Sequence, residues 1–229
     1  MLSTEEFAKW STKVVLFLHN TSRVADEPYP SLLSEKGGNG FPTVSYLDAE
    51  GNLLKQVGHV TPIAELESAY RELQAWTSLR AAVDSGKATP KQETELFRLE
   101  LAMGNRSYAE MTARYASLKI PADDRDAIDQ QLVNLQFSEI LRATPRAEQH
   151  LGGEKFLAMY REGRIPNTST ETSFWQYMFA FAAKQQDVPL FEELLGHVKK
   201  AKAGDARLER YLTSLEQQLT KLKADTGGK

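Results

Sequence analysis

The chain of 229 residues contains no cysteine. That absence excludes disulfides, thiolate metal ligands and thiol catalysis, and it leaves the compartment open, because a cysteine-free chain works in either redox setting. No apolar run approaches the ~20 residues that cross a bilayer as a helix, so no membrane partner is expected. Charge of one sign is also scarce: 28 Lys and Arg stand against 31 Asp and Glu, a net charge of -3 with the signs interspersed. A broad basic surface able to neutralise phosphates is missing, and no nucleic-acid partner is expected. The one concentrated basic run, Lys199, Lys200 and Lys202, sits near a helix end, where it suits the dipole. The four histidines, His19, His59, His150 and His197, are scattered without ligand spacing, so neither a metal nor another cofactor is expected. "MLSTEEFAKWSTK" carries acids where a signal peptide needs positive charge. A soluble protein is expected, in the cytoplasm or exported with its signal removed.

What is present is the composition of an ordinary globular chain, 41% hydrophobic and 26% charged, long enough for two modest domains that fold without staples. Phe7, Trp10 and Val14 follow Ser3 and Thr4 at helical spacing, with Glu5 and Glu6 in the first turn. "KVVLFLH" is apolar, β-branched and too short for a helix, and it reads as a strand buried on both faces. In the polar loop after it, Pro28 and Pro30 discourage regular structure and only "SLLSEK" suits a helical turn or two. "FPTVSYLD", a turn at Gly51 and "NLLKQVGHV" form a hairpin. Thr61 and Pro62 then open a long helix whose apolar positions include Ile63, Leu66, Tyr70, Leu73 and Val83.

This order of helix, strand, loop, Gly-Phe-Pro-Thr, strand, Asp-Ala-Glu-Gly turn, strand and helix resembles the thioredoxin superfamily over roughly residues 3 to 83. The resemblance implies a cis Phe41-Pro42 bond. It also implies that an edge beside that proline meets extended polypeptide, with Arg23, Phe41, Pro42 and Thr43 on its rim. The departures matter equally. "HNTSRVAD" stands where the family carries Cys-Xaa-Xaa-Cys, which removes dithiol redox chemistry, and the stretch between "KVVLFLH" and Pro42 is shorter than in a full thioredoxin. Glutathione transferases also join such a domain to an all-helical one and use a hydroxyl, for which Thr21 or Ser22 would be the candidates. Against them, "LLKQVGHVTP" stands where that family binds the γ-glutamyl end of glutathione. As turn-forming hydroxyls, Thr21 and Ser22 need no catalytic role. His19 ends the apolar run, and as a base or ligand it would need an oriented partner.

Beyond "DSGKATPKQ" the strand signals stop. Thr89 to Gln92, Ser107 to Glu110 and Thr168 to Glu171 have capping-box spacing. Gly152 and Gly153 are expected to break or kink a helix, while Asp187 caps the following one. Phe174, Trp175, Tyr177, Met178 and Phe181 form an aromatic stripe that reads as core. Leu208, Leu212, Leu215, Leu219 and Leu222 make a packing seam. "LELAMGNRSYAEMTARYASLK" and "FAFAAKQQDVPLFEELLGHVK" resemble one another and are similar in style to tetratricopeptide hairpins.

The expected fold class is therefore α/β plus all-α: a thioredoxin-like domain at residues 1–84, and an all-helical TPR-like or bundle domain at 85–229. The expected function is a non-catalytic interaction or scaffolding protein with no catalytic residues. Its partner would be another protein, a polypeptide segment or a second copy of the chain. The alternatives are a transferase using Thr21 or Ser22, and a piece of a longer chain whose partner segment lies elsewhere.

Overall fold

The computed structural model describes residues 3–19, 29–38, 40–57, 62–104, 106–201 and 209–227. It is mostly helical, with a small two-stranded antiparallel sheet. The chain divides into two compact units, Met1–Arg125 and Asp126–Lys229.

The first unit opens with α1 (Glu5–Ser11), where the Thr4 hydroxyl accepts from the Phe7 backbone N–H. It continues with α2 (Leu32–Glu35), β1 (Val44–Leu47), β2 (Leu53–Val57), α3 (Ile63–Asp84), α4 (Pro90–Met103) and α5 (Tyr108–Ser117). The strands pair from Val44 opposite Val57 to Tyr46 opposite Lys55, and a bulge then brings Leu47 opposite Leu53. The hairpin turn is held by Asp48, whose carboxylate accepts from the Glu50 and Asn52 backbone N–H groups at 3.0 and 2.7 Å and from the Asn52 side-chain amide at 2.9 Å. Those bonds, the Asn52 side chain first, hold the Asp48 carboxyl below its ordinary range. Because strand residues alternate between faces, Val44 and Tyr46 join Trp10, Val57, Leu66 and Ala69 in a core between the hairpin, α1 and α3. The Tyr46 hydroxyl donates to the Leu66 carbonyl at 2.7 Å.

Both early capping boxes form: Thr89 with Gln92 at the start of α4, and Ser107 with Glu110 at the start of α5. One carboxylate lies deep in this region. Glu100 of α4 is 1% exposed and ion-paired with Arg114 of α5, with Arg80 of α3 and Arg106 further off at 3.6 and 3.7 Å. Burial, and then the neighbouring Arg80 charge, lower the Arg114 pKa from its ordinary value.

The division falls in the first turn of α6 (Ala122–Ala143), and the second unit continues through a 3-10 turn (Arg146–Glu148), α7 (Gln149–Arg161), α8 (Glu171–Lys184), α9 (Val188–Ala201) and α10 (Glu209–Gly227). Its core is aromatic, as the stripe implies. Phe156 lies 5.2 Å from both Phe137 and Phe174 and 5.7 Å from Tyr177, ring centre to ring centre. Phe179 packs on Phe191 at 4.7 Å. The leucine seam of α10 closes this core through Leu215 and Leu222, with Leu212 and Leu219 packed against it, and Leu208 lies outside the described residues.

Four expectations need correction. "KVVLFLH" is not a buried strand: residues 15–19 form no strand, and Val15 and Leu18 are 98% and 85% exposed. A strand exists only through a neighbour, and among the described residues β1 and β2 pair solely with each other. Gly152 and Gly153 do not interrupt α7, which runs straight through them. They let α7 and α8 approach closely, since a Cβ on Gly153 would collide with the Tyr177 carbonyl and the Phe181 Cβ. The third capping box is absent: α8 starts after Thr170 with no side-chain cap, and the Glu171 carboxylate accepts instead from Trp175 Nε1 at 2.9 Å. The start of the long helix shifts by one residue, with Pro62 at the N-cap and Thr61 outside the described residues.

Candidate functional site

The second face of the hairpin is built differently from the first. Thr43, Ser45 and Leu47, the positions that alternate with the core residues, line an open cleft of about 640 Å³. Leu32 and Leu33 of α2 and its C-cap Lys36 form another wall, Phe17, Leu18 and His19 a third, and Phe41 and Pro42 the rim. Gly38 is needed where α2 turns back toward β1, because a Cβ there would overlap the Leu33 side chain.

Most of the lining is aliphatic or aromatic. Its polar groups are the Lys36 ammonium, the His19 imidazole and the Thr43 and Ser45 hydroxyls. Thr43 Oγ1 donates to the Gly40 carbonyl at 2.6 Å, which ties the rim loop to the start of β1. His19 is half-buried, its ring nearly parallel to Phe17 with centroids 6.5 Å apart. Lys36 is the one side chain of the lining that carries a full positive charge. Such a lining has shape, apolar surface and few hydrogen-bonding groups.

Of the residues singled out from the sequence, Phe41, Pro42 and Thr43 come together on this rim. Phe41 is 67% exposed, and the Phe41-Pro42 bond is cis, the isomer that the resemblance implies. Arg23, Thr21 and Ser22 lie outside the described residues, as does His59. Among the described residues, no group of three or more His, Asp or Glu side chains could hold a metal ion. His197 belongs to the second unit, stacked on Trp175 at 4.9 Å with the Tyr160 ring edge-on at 5.4 Å.

Sequence reasoning did not assign Leu32, Leu33 and Leu47 to the site. The alternation in "TVSYL" carries a signal for Leu47, since it places Thr43, Ser45 and Leu47 together on the face opposite Val44 and Tyr46. Nothing local marks α2 as a wall. In comparisons with known proteins, no family model, no curated protein and no solved structure matches this chain.

Proposed function

We propose that the protein is a non-catalytic interaction module, of thioredoxin-like kind in its N-terminal part and joined to a TPR-like helical part, that binds an extended polypeptide segment in the cleft beside Phe41. The observation that carries this reading is the cleft itself: an apolar trough of about 640 Å³ with a large aromatic exposed at its mouth. Exposed aromatics next to an apolar groove are the anchors on which peptide recognition concentrates its energy. The sequence supplies the complementary argument. Without cysteine, the framework has no thiol chemistry to perform on a bound segment. The consecutive hairpin-like helices α7 to α10, with their continuous core, support the helical half of the reading.

An array of immobilised extended peptides, graded from apolar to polar, tests it. Binding is expected to favour peptides with alternating apolar residues and to fall roughly tenfold or more in Phe41→Ala, a change at an anchor position. Because Phe41 is 67% exposed, the variant should melt within about 0.5 kcal/mol of the parent. Absence of peptide binding, or binding indifferent to Phe41→Ala, would overturn the assignment. Stabilisation by millimolar glutathione, which lifts the melting temperature only of a protein that binds it folded, would transfer it to the hydroxyl-dependent transferases.

A further inference from the structure

Val15, Leu16, Phe17 and Leu18 are 98%, 57%, 68% and 85% exposed. Among the described residues no backbone hydrogen bond involves any of the four. The run thus offers water both its side chains and its main-chain donors and acceptors, and its composition is strongly β-prone. Natural proteins protect such edges with a charge, a proline or a bulge. Here there is neither charge nor proline between Val14 and His19. The preceding cation, Lys13, is turned away into an ion pair with Glu67 of α3 at 2.7 Å.

We infer that Val15–Leu18 is a self-association edge, on which the same four residues of a second copy pair as an antiparallel strand about a twofold axis. The run is its own complement. Centred between Leu16 and Phe17, the pairing sets Val15 opposite Leu18 and Leu16 opposite Phe17, two apolar pairs on each side of the axis, and brings no like charges together. An isologous contact of this kind closes at two copies. The exposed run together with the neighbouring Phe41 leaves on the order of 600 Å² of apolar surface per chain, less than the roughly 800 Å² per partner of a standard-size complex and in the range of a weak, reversible one.

This goes beyond peptide binding and does not depend on it, but the two meet at Phe17 and Leu18, which line the cleft. Pairing would cover part of one wall, so self-association and peptide capture would compete.

Sedimentation equilibrium of the full chain, without peptide, tests the inference. The mass is expected to rise from one chain to two across the micromolar range. Phe17→Lys and Val15→Lys should each weaken the association roughly tenfold or more, as loss of a central contact does, while Leu151→Lys, an exposed apolar position in the second unit, leaves it unchanged. Both edge positions are exposed, so circular dichroism should report an unaltered monomer fold. The cysteine-free background gives a second readout. With diamide added as the two-electron oxidant, chains carrying Val15→Cys mixed with chains carrying Leu18→Cys should form the mixed disulfide faster than either forms its own, because that bridge requires close Cβ approach. A monomer at every concentration, growth beyond two chains, a dimer retained in both Lys variants, or equal rates for all three disulfides would each overturn it. Capture of a foreign apolar strand by a chain that stays monomeric would do the same.

Discussion

The two units solve the same problem, burying apolar surface, with different materials. The second packs ring on ring: Phe137, Phe156, Phe174, Tyr177, Phe179 and Phe191 belong to one continuous core built from α6 to α10. The first places a smaller core between the hairpin, α1 and α3, and sets a buried carboxylate among arginines where α3, α4 and α5 meet. Its apolar residues are also not all used. Among the described residues, every exposed large hydrophobic except Leu151 belongs to the first unit. The unit with the unspent apolar surface is the one that carries the cleft. Surplus of this kind is what the proposed peptide binding and self-association would cover.

The contrast is sharpest if the aromatic core is cut first. Phe156 is fully buried and touches three rings, so Phe156→Ala should cost about 3–5 kcal/mol through lost transfer energy and the cavity left behind. Chemical denaturation followed by far-UV circular dichroism measures it. A cost below about 1 kcal/mol would mean that the second unit is not held by these rings.

The first unit should respond most to a change in charge. In Arg114→Met the volume is nearly kept while Glu100 loses its ion-pair partner in α5. Removing one member of a buried pair costs roughly 3–5 kcal/mol when nothing compensates. Here Arg80 and Arg106 remain at 3.6 and 3.7 Å, and the expected cost falls to about 1–3 kcal/mol. The same denaturation experiment reads it, and high salt should change it little because the carboxylate is 1% exposed. Equal stability of Arg114→Met and the parent would show that this cluster contributes packing alone.

What could be read from the chain follows the range of the interactions involved. The capping boxes at Thr89 and Ser107, the turn at Gly51 and the leucine seam are decided within a few residues, and they stand in the structure as the residues imply. Gly152 and Gly153 mislead because a local propensity to break α7 is overridden by the contact they permit with Tyr177 and Phe181 of α8. Glu171 misleads because the Trp175 indole draws its carboxylate away from the cap. "KVVLFLH" misleads more deeply. Its pattern is that of a strand, but a strand is a relation between two segments, and no described segment takes the second place. Phe41, Pro42 and Thr43, which one motif singles out, line the candidate cleft together. The walls from α2 depend on a tertiary approach that no local pattern records.

The smallest expected effect separates the two faces of the hairpin. Burial first, then the nearby Glu67 and Tyr70, push the Tyr46 phenol up to about 12 from an ordinary value of 10.0. A folded pKa above the unfolded one means that the neutral phenol is favoured by folding. Its contribution is therefore complete below about pH 10 and is lost as pH rises through about 12. Tyr46→Phe should cost about 1 kcal/mol at neutral pH, the usual worth of a hydrogen bond such as the one to the Leu66 carbonyl. It should also flatten that alkaline fall in stability for the first unit. Denaturation between pH 8 and 11.5 with each variant tests this, with Tyr211 of the second unit, also raised to about 12, setting the background that remains. An unchanged alkaline slope in Tyr46→Phe would mean that the core face of the hairpin is as open to water as the cleft face. The division between a structural side of β1 and the proposed binding side would then fail.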